Sequence, residues 1–299
     1  MKRNVILWLL ALIITLASAA YQRMTGPTYP KKVSIKLNEK EINFKLPRSH
    51  GGNDDQVVAI PVSDTNIKAF LVWKRYKTKD PWTYEPMKAR NDSLVAFLPG
   101  QPPAGKLEYF LVYEKNGIKH TIPEHSTVVI RFKGKVPLWV LIPHIIAMFT
   151  AMLFSMRVGL EIFNKEKTDK FKKYTYWTIA FLFIGGFIFG PLMQKYAFGE
   201  YWTGVPFGYD LTDNKTLIAM LGWVIASYMY KKSQKPLRWA VAASLLMFGM
   251  YMIPHSVLGS ELDYNKLDAQ KKHQQKKTEI VTDSTQKTVN SLHKNYKNK

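Results

Sequence analysis

Two histidines of this chain sit in the same tripeptide, Ile142-Pro143-His144 and Ile253-Pro254-His255. Pro143 suits the first turn of a helix, where its missing N–H does no harm, and Pro254 suits a helix end. Both histidines are therefore expected at helix ends on one membrane boundary. There each is either an interfacial anchor or, as a pair of neutral imidazoles, a ligand of haem iron. Between them, residues 199–216 are dense in glycine and aromatics, including Trp202, Phe207, Tyr209 and Asp210. One reading is an aromatic belt at the bilayer surface with Asp213 or Asn214 capping the next helix. The other is a platform on which a flat cofactor, haem b or a quinone, stacks. Lys195 and Lys215 at the loop's two ends would then pair with propionates.

Other chemistry-bearing residues are sparser. Arg157 and Glu161 are four apart on one helix face. They read as an i,i+4 ion pair or as part of an ion or proton relay, because charges inside a membrane are functional candidates. His50 with Asp54 and Asp55, and His120 with His125, could bind metal but fall in turns, where a solvated role is the simpler reading. No Ser-His-Asp order, glycine-rich phosphate loop or HExxH stands out. The absence of cysteine excludes thiol catalysis, Fe–S clusters and covalent c-type haem attachment. The residues therefore point more to a non-enzymatic role than to an enzyme.

The loop also resembles the tryptophan-rich outer loop of the haem-handling membrane proteins of cytochrome c maturation, whose pattern is roughly W-G-x-x-W-x-W-D-x-x-E-T. Gly204, Phe207, Tyr209, Asp210 and Asp213 stand where that pattern has its Gly, two Trp, Asp and Glu. In that family an external histidine flanks the loop on each side, and His144 and His255 match the order. The departures are Phe and Tyr in place of the tryptophans, Trp202 displaced by one residue, and one helix fewer. The resemblance spans residues 136–256 and implies haem at the outer face with His144 and His255 as iron ligands.

The elements that must position these residues follow from patterning. Residues 1–20 begin with Lys2 and Arg3, continue apolar, and reach Ala17-Ser18-Ala19, the pattern of a signal sequence or a retained N-terminal anchor. Residues 31–133 alternate apolar and polar in short runs such as 33–37, 42–46, 69–73 and 109–113, punctuated by turn signals such as Asn91-Asp92 and Asn116-Gly117. That predicts an extracytoplasmic β-sandwich with Val72, Trp73, Phe97, Tyr109 and Leu111 in its core, and the stretch resembles an immunoglobulin- or fibronectin-like module.

Four apolar runs, 136–163, 174–193, 216–230 and 237–253, predict a four-helix transmembrane domain over residues 136–256. The lysine-rich loops 165–173 and 231–238 should be cytoplasmic, and the loop 196–214, with its three acidic residues, outside. The tail 261–299, polar and lysine-rich, is expected to be disordered and outside.

The expected whole is an α-helical membrane bundle plus an all-β domain in a bacterial inner membrane, with the bilayer and other envelope proteins as partners. The mean hydropathy of −0.17 averages apolar blocks with the lysines between them. The net charge of +21 therefore marks membrane flanks and tail rather than a nucleic-acid face.

Overall fold

The computed structural model describes residues 2–37, 40–62, 67–115, 117–164, 169–254, 257, 259 and 261–297. Helix α1 (Lys2–Thr25) is followed by eleven strands between residues 31 and 133. Strands β1 (Lys31–Leu37) and β2 (Lys40–Leu46) form a separate hairpin pairing Val33 with Phe44. The main sheet runs β3 (Ser49–Gly51), β11 (Val128–Lys133), β9 (Lys106–Lys115), β5 (Lys68–Arg75), β6 (Thr83–Pro86), with β10 (Ile118–Ile122) also on β9. The third sheet is β4 (Gln56–Ile60), β8 (Ser93–Leu98), β7 (Lys88–Arg90). All pairings are antiparallel except β3 with β11.

The period-two alternation does what it promises on β8, where Leu94, Ala96 and Leu98 are buried and join Val58, Ile60, Leu71, Leu107 and Leu111 in one core. Val72, Tyr109 and Leu111 are fully buried and Trp73 packs at the core's edge. Phe97 is the exception to the expected core. It lies on the outward phase of β8, opposite Val57, and is 45% exposed.

The helical half comprises α2 (Leu138–Gly159), α3 (Lys170–Phe183), α4 (Gly190–Phe198), α5 (Leu211–Lys232) and α6 (Pro236–Met252). A 3₁₀ turn at Leu160–Phe163 extends α2, and a π-helical turn at Ile184–Phe189 joins α3 to α4 into one continuous rod. Among the described residues, three helical stretches are long and apolar enough to cross a membrane: Lys2–Thr25, Leu138–Phe163 and Lys170–Phe198. This is a membrane protein with a β-rich region.

The count corrects the expected four spans after the β region in two ways. The N-terminal helix is longer than its apolar core suggests, because Ala17 to Thr25 continue it. α5 and α6 fall short by themselves: α5 carries Asp213, Lys215, Lys231 and Lys232, and α6 has only 17 residues. Both nevertheless pack into the bundle core, where Trp223 of α5 is fully buried and its indole N–H meets Met247 Sδ of α6 at 3.1 Å. Small residues set the spacing. A Cβ on Gly159 of α2 would lie 2.5 Å from Ser244 Oγ of α6, and the Ser244 hydroxyl donates to the Ser155 carbonyl at 2.7 Å.

The tail departs furthest from expectation. Residues Tyr264–Lys297 form a helix, α7, rather than a disordered segment. The reasons are local. Asp263 Oδ1 accepts from the backbone N–H groups of Asn265 and Lys266, the stretch has no glycine or proline, and lysine, glutamine and alanine are good helix formers. Its first turns dock on the β region. Tyr264 Oη accepts from Lys106 N–H at 3.0 Å, Asp268 bonds both terminal nitrogens of Arg75, and Glu261 just before it pairs with Lys106 and Lys77.

Candidate functional site

The β region is seated on the end of α4. Gly134, directly after β11, donates its N–H to the Ala197 carbonyl at 3.0 Å, and the two backbones are so close that a Cβ on Gly134 would lie 2.2 Å from the Tyr196 carbonyl oxygen. Arg131 of β11 lays its guanidinium over the Phe198 ring, 3.8 Å from the centroid. Beside this joint a cavity of about 680 Å³ opens between the β region and the helix ends. Its upper wall carries Arg131, Lys133 and Lys135 from the strand-to-helix junction and Arg23 from the last turn of α1. Its lower wall descends between α2 and α4 past Leu141, His144, Met148 and Met193, with Gln194, Asp210 and Asp213 at the side.

Charge in the upper wall is crowded. Burial pushes the Arg131 guanidinium down to about 10, with Asp210 and Glu261 pulling the other way. Lys133 is lowered by desolvation first and then by the positive charge of Arg23 and Arg131. Among the described residues Arg23, Lys133 and Lys135 enter no ion pair.

The carboxylates across the cavity are committed to backbone. Asp210, 6% exposed, caps α5 by accepting from Thr212 N–H at 2.8 Å. The cap is therefore Asp210 and not Asp213 or Asn214, because the helix begins at Leu211, five residues before the expected start. Asp213 and Asn214 instead reach back into the loop. Asp213 Oδ2 accepts from the N–H groups of Thr203 and Gly204 and from Gln194 Nε2, and Asn214 Oδ1 accepts from Val205 N–H.

The other expected site residues separate in space. His144 lies inside α2, six residues beyond its start, because the helix opens earlier behind Pro137. Its Nδ1 is 2.9 Å from the Gly185 carbonyl in the π-helical turn, so Nδ1 carries the proton and Nε2 is the acceptor. His255 lies outside the described residues. Trp202 is tucked against Phe187 in a stacked arrangement at 5.7 Å, and its indole donates to the Val205 carbonyl. Phe207 and Tyr209 point away, 82% and 90% exposed.

The cavity thus brings His144 and Asp210 together, while Trp202, Phe207 and Tyr209 are not among its lining residues. Lys195 and Lys215 are each spent on a carbonyl, of Gly199 and Ile253 respectively.

Arg157 and Glu161 form a buried ion pair, 0% and 3% exposed in their side chains, extended by Asn4 of α1 and by Asn164. His50 bonds Gln56 and lies 3.4 Å from Asp54, and His120 stacks on Tyr113. Among the described residues no cluster of three or more acidic or histidine side chains is placed to hold a metal ion.

Sequence reasoning missed Arg23, Arg131, Lys133 and Lys135. The available signal was the Arg-Phe-Lys-Gly-Lys run at 131–135, basic residues placed where a β region hands over to a membrane helix. The chain matches no protein-family model, and no curated protein or solved structure is significantly similar to it.

Proposed function

We propose that this protein is a multi-pass component of a bacterial inner membrane that holds its β region outside the cytoplasm and docks other envelope proteins without catalysing a reaction. The observation that carries the docking is the loop 199–210. Its backbone is pinned by Asp210, Asp213 and Asn214, while Tyr201, Val205, Phe207 and Tyr209 are 49–90% exposed. A preorganised loop presenting aromatic side chains is the kind of surface that supplies interface hot spots at low ordering cost. The outward-facing Val57–Phe97 pair offers a second apolar spot on the β region.

Two features support the topology. The segment after α6 bonds to the β region that precedes α2, so both ends of the helical half are on one side. α5 and α6, packed in the bundle core, would cross with the three longer helices. The sheets support an immunoglobulin-like reading, with β4 and β8 as one layer, β6-β5-β9-β11 as the other, and β3 parallel to the last strand.

Electrophoresis of mildly solubilised membranes under native conditions tests the docking. The wild type should migrate in an assembly larger than its own 34.5 kDa chain accounts for, and F207A/Y209A should release it at unchanged thermal stability. A wild type that migrates alone would refute the reading. The alternative is a haem- or quinone-binding protein, supported by His144 Nε2 beside the cavity. It requires a haem absorbance or a bound quinone in the purified protein, lost in His144→Ala.

A further inference from the structure

The shape and chemistry of the cavity under the β region go beyond that reading. Its upper wall gathers cations from two places far apart in the sequence, Arg23 at the end of α1 and Arg131, Lys133 and Lys135 at the strand-to-helix junction. The cavity surrounds the point where α1 ends, α2 begins and α4 ends, which is the level of the lipid head groups on that side of the bilayer. The two carboxylates on its side wall, Asp210 and Asp213, face four cations, so the lining is net positive, and among the described residues Arg23, Lys133 and Lys135 enter no ion pair.

Below the cations the lining turns apolar, with Leu141, Met148, Met193 and Ala197. Gly186 and Gly190 of the rod line it there opposite Leu141 and Met148 of α2. A space with a cationic roof and an apolar floor running down between two membrane helices matches an amphiphile with an anionic head.

We infer that this cavity binds one anionic phospholipid, its phosphate beneath Arg23, Lys133 and Lys135 and an acyl chain between α2 and α4. Arg23 supplies the planar donor array that phosphate prefers. Lys133 and Lys135 add point charge and, being exposed in part, can exchange water for phosphate oxygen without unfolding the strand. Desolvation first, and then the positive charge of Arg23 and Arg131, lowers Lys133, and a bound anion would offset the second of these.

Native mass spectrometry of the full chain in a neutral detergent tests this, with phosphatidylglycerol, phosphatidylcholine and inorganic phosphate added in separate arms. One phosphatidylglycerol should be retained at least tenfold more strongly than phosphatidylcholine. That preference should fall to near unity in K133Q/K135Q, whose unfolding midpoint without lipid should match the wild type. Inorganic phosphate in excess should displace the lipid only weakly, because it lacks the chain that fills the floor. Equal retention of the two lipids, an unchanged preference in K133Q/K135Q, or full displacement by inorganic phosphate would each overturn the proposal. So would co-purified haem in the cavity that excludes the lipid.

Discussion

Arg157 of α2, with no exposed side-chain surface, donates from its second terminal nitrogen to Asn4 Oδ1 of α1 at 2.7 Å, a bond across 153 residues of sequence. The same guanidinium pairs with Glu161 and faces the rings of Trp8 and Tyr174 at 5.7 and 5.4 Å. α1 is therefore part of the solvation shell of a buried charge as well as a helix long and apolar enough to cross a membrane. It also sends Leu7, Ala11, Thr15 and Ser18 into the bundle.

The first prediction follows from that bond. α1 stays attached after export, since cutting at Ala17-Ser18-Ala19 would strip Asn4 and Trp8 from a charge with no water to replace them. Intact-mass measurement of protein purified from membranes should include the first twenty residues, and a mass lacking them would refute the prediction. Asn4→Leu should lower the unfolding midpoint, by an amount on the order of 1–3 kcal/mol for an orphaned buried donor.

Topology gives the second. Reporter fusions at Lys170 and at Asn265 should report opposite sides of the membrane, with Asn265 on the side of the β region. Asn265 lies one residue from Tyr264, whose hydroxyl is bonded to Lys106 of β9. Both fusions on one side would mean that α5 and α6 do not each cross.

The attachment of the tail should depend on acidity. Hydrogen bonds from Arg75 hold the Asp80 and Asp268 carboxyls below their usual value. A carboxyl depressed in the folded state stabilises above its unfolded value, and that contribution fades as pH falls through the folded value. The clamp should hold at neutral pH and loosen only below about pH 4, the ordinary aspartate range. Limited proteolysis between residues 261 and 270 reads it. Cleavage should rise in that acid window and should be rapid at pH 7 in Arg75→Ala. Equal protection of Arg75→Ala and the wild type at pH 7 would show that Tyr264 and Glu261 suffice.

Asp213 should be the keystone of the loop 199–210. Asp213→Ala leaves the Thr203 and Gly204 N–H groups without their acceptor and leaves Gln194 with Thr203 Oγ1 alone. The expected cost is about 1–3 kcal/mol for each donor that water cannot reach. Thermal unfolding in detergent and new protease sites within 199–210 check it. Asp213→Asn keeps one acceptor oxygen and should lie between the two.

Much of this architecture is legible in the sequence because it rests on local periodicity. The alternation of 69–73, 94–97 and 109–113 reappears as β5, β8 and β9, since a half-buried strand requires apolar residues at every second position. The first two apolar runs after residue 136 reappear as helices long and apolar enough to cross, because the bilayer imposes length and composition on each element alone. The last two reappear as α5 and α6, which fall short of that by themselves. Phe97 shows where such reading fails. It belongs to the right strand, but which phase of the strand meets the core depends on the opposing sheet.

What joins the elements was decided only in three dimensions. Asp210 rather than Asp213 caps α5 because the loop before it folds back on Asp213, a choice no spacing rule distinguishes. The cationic roof draws on Arg23 and on Arg131, Lys133 and Lys135, residues separated by more than a hundred positions. Each is an ordinary membrane-flank or strand charge in sequence. They become a site only because the β region is seated on α4 through Gly134, which turns the end of one strand toward the end of α1.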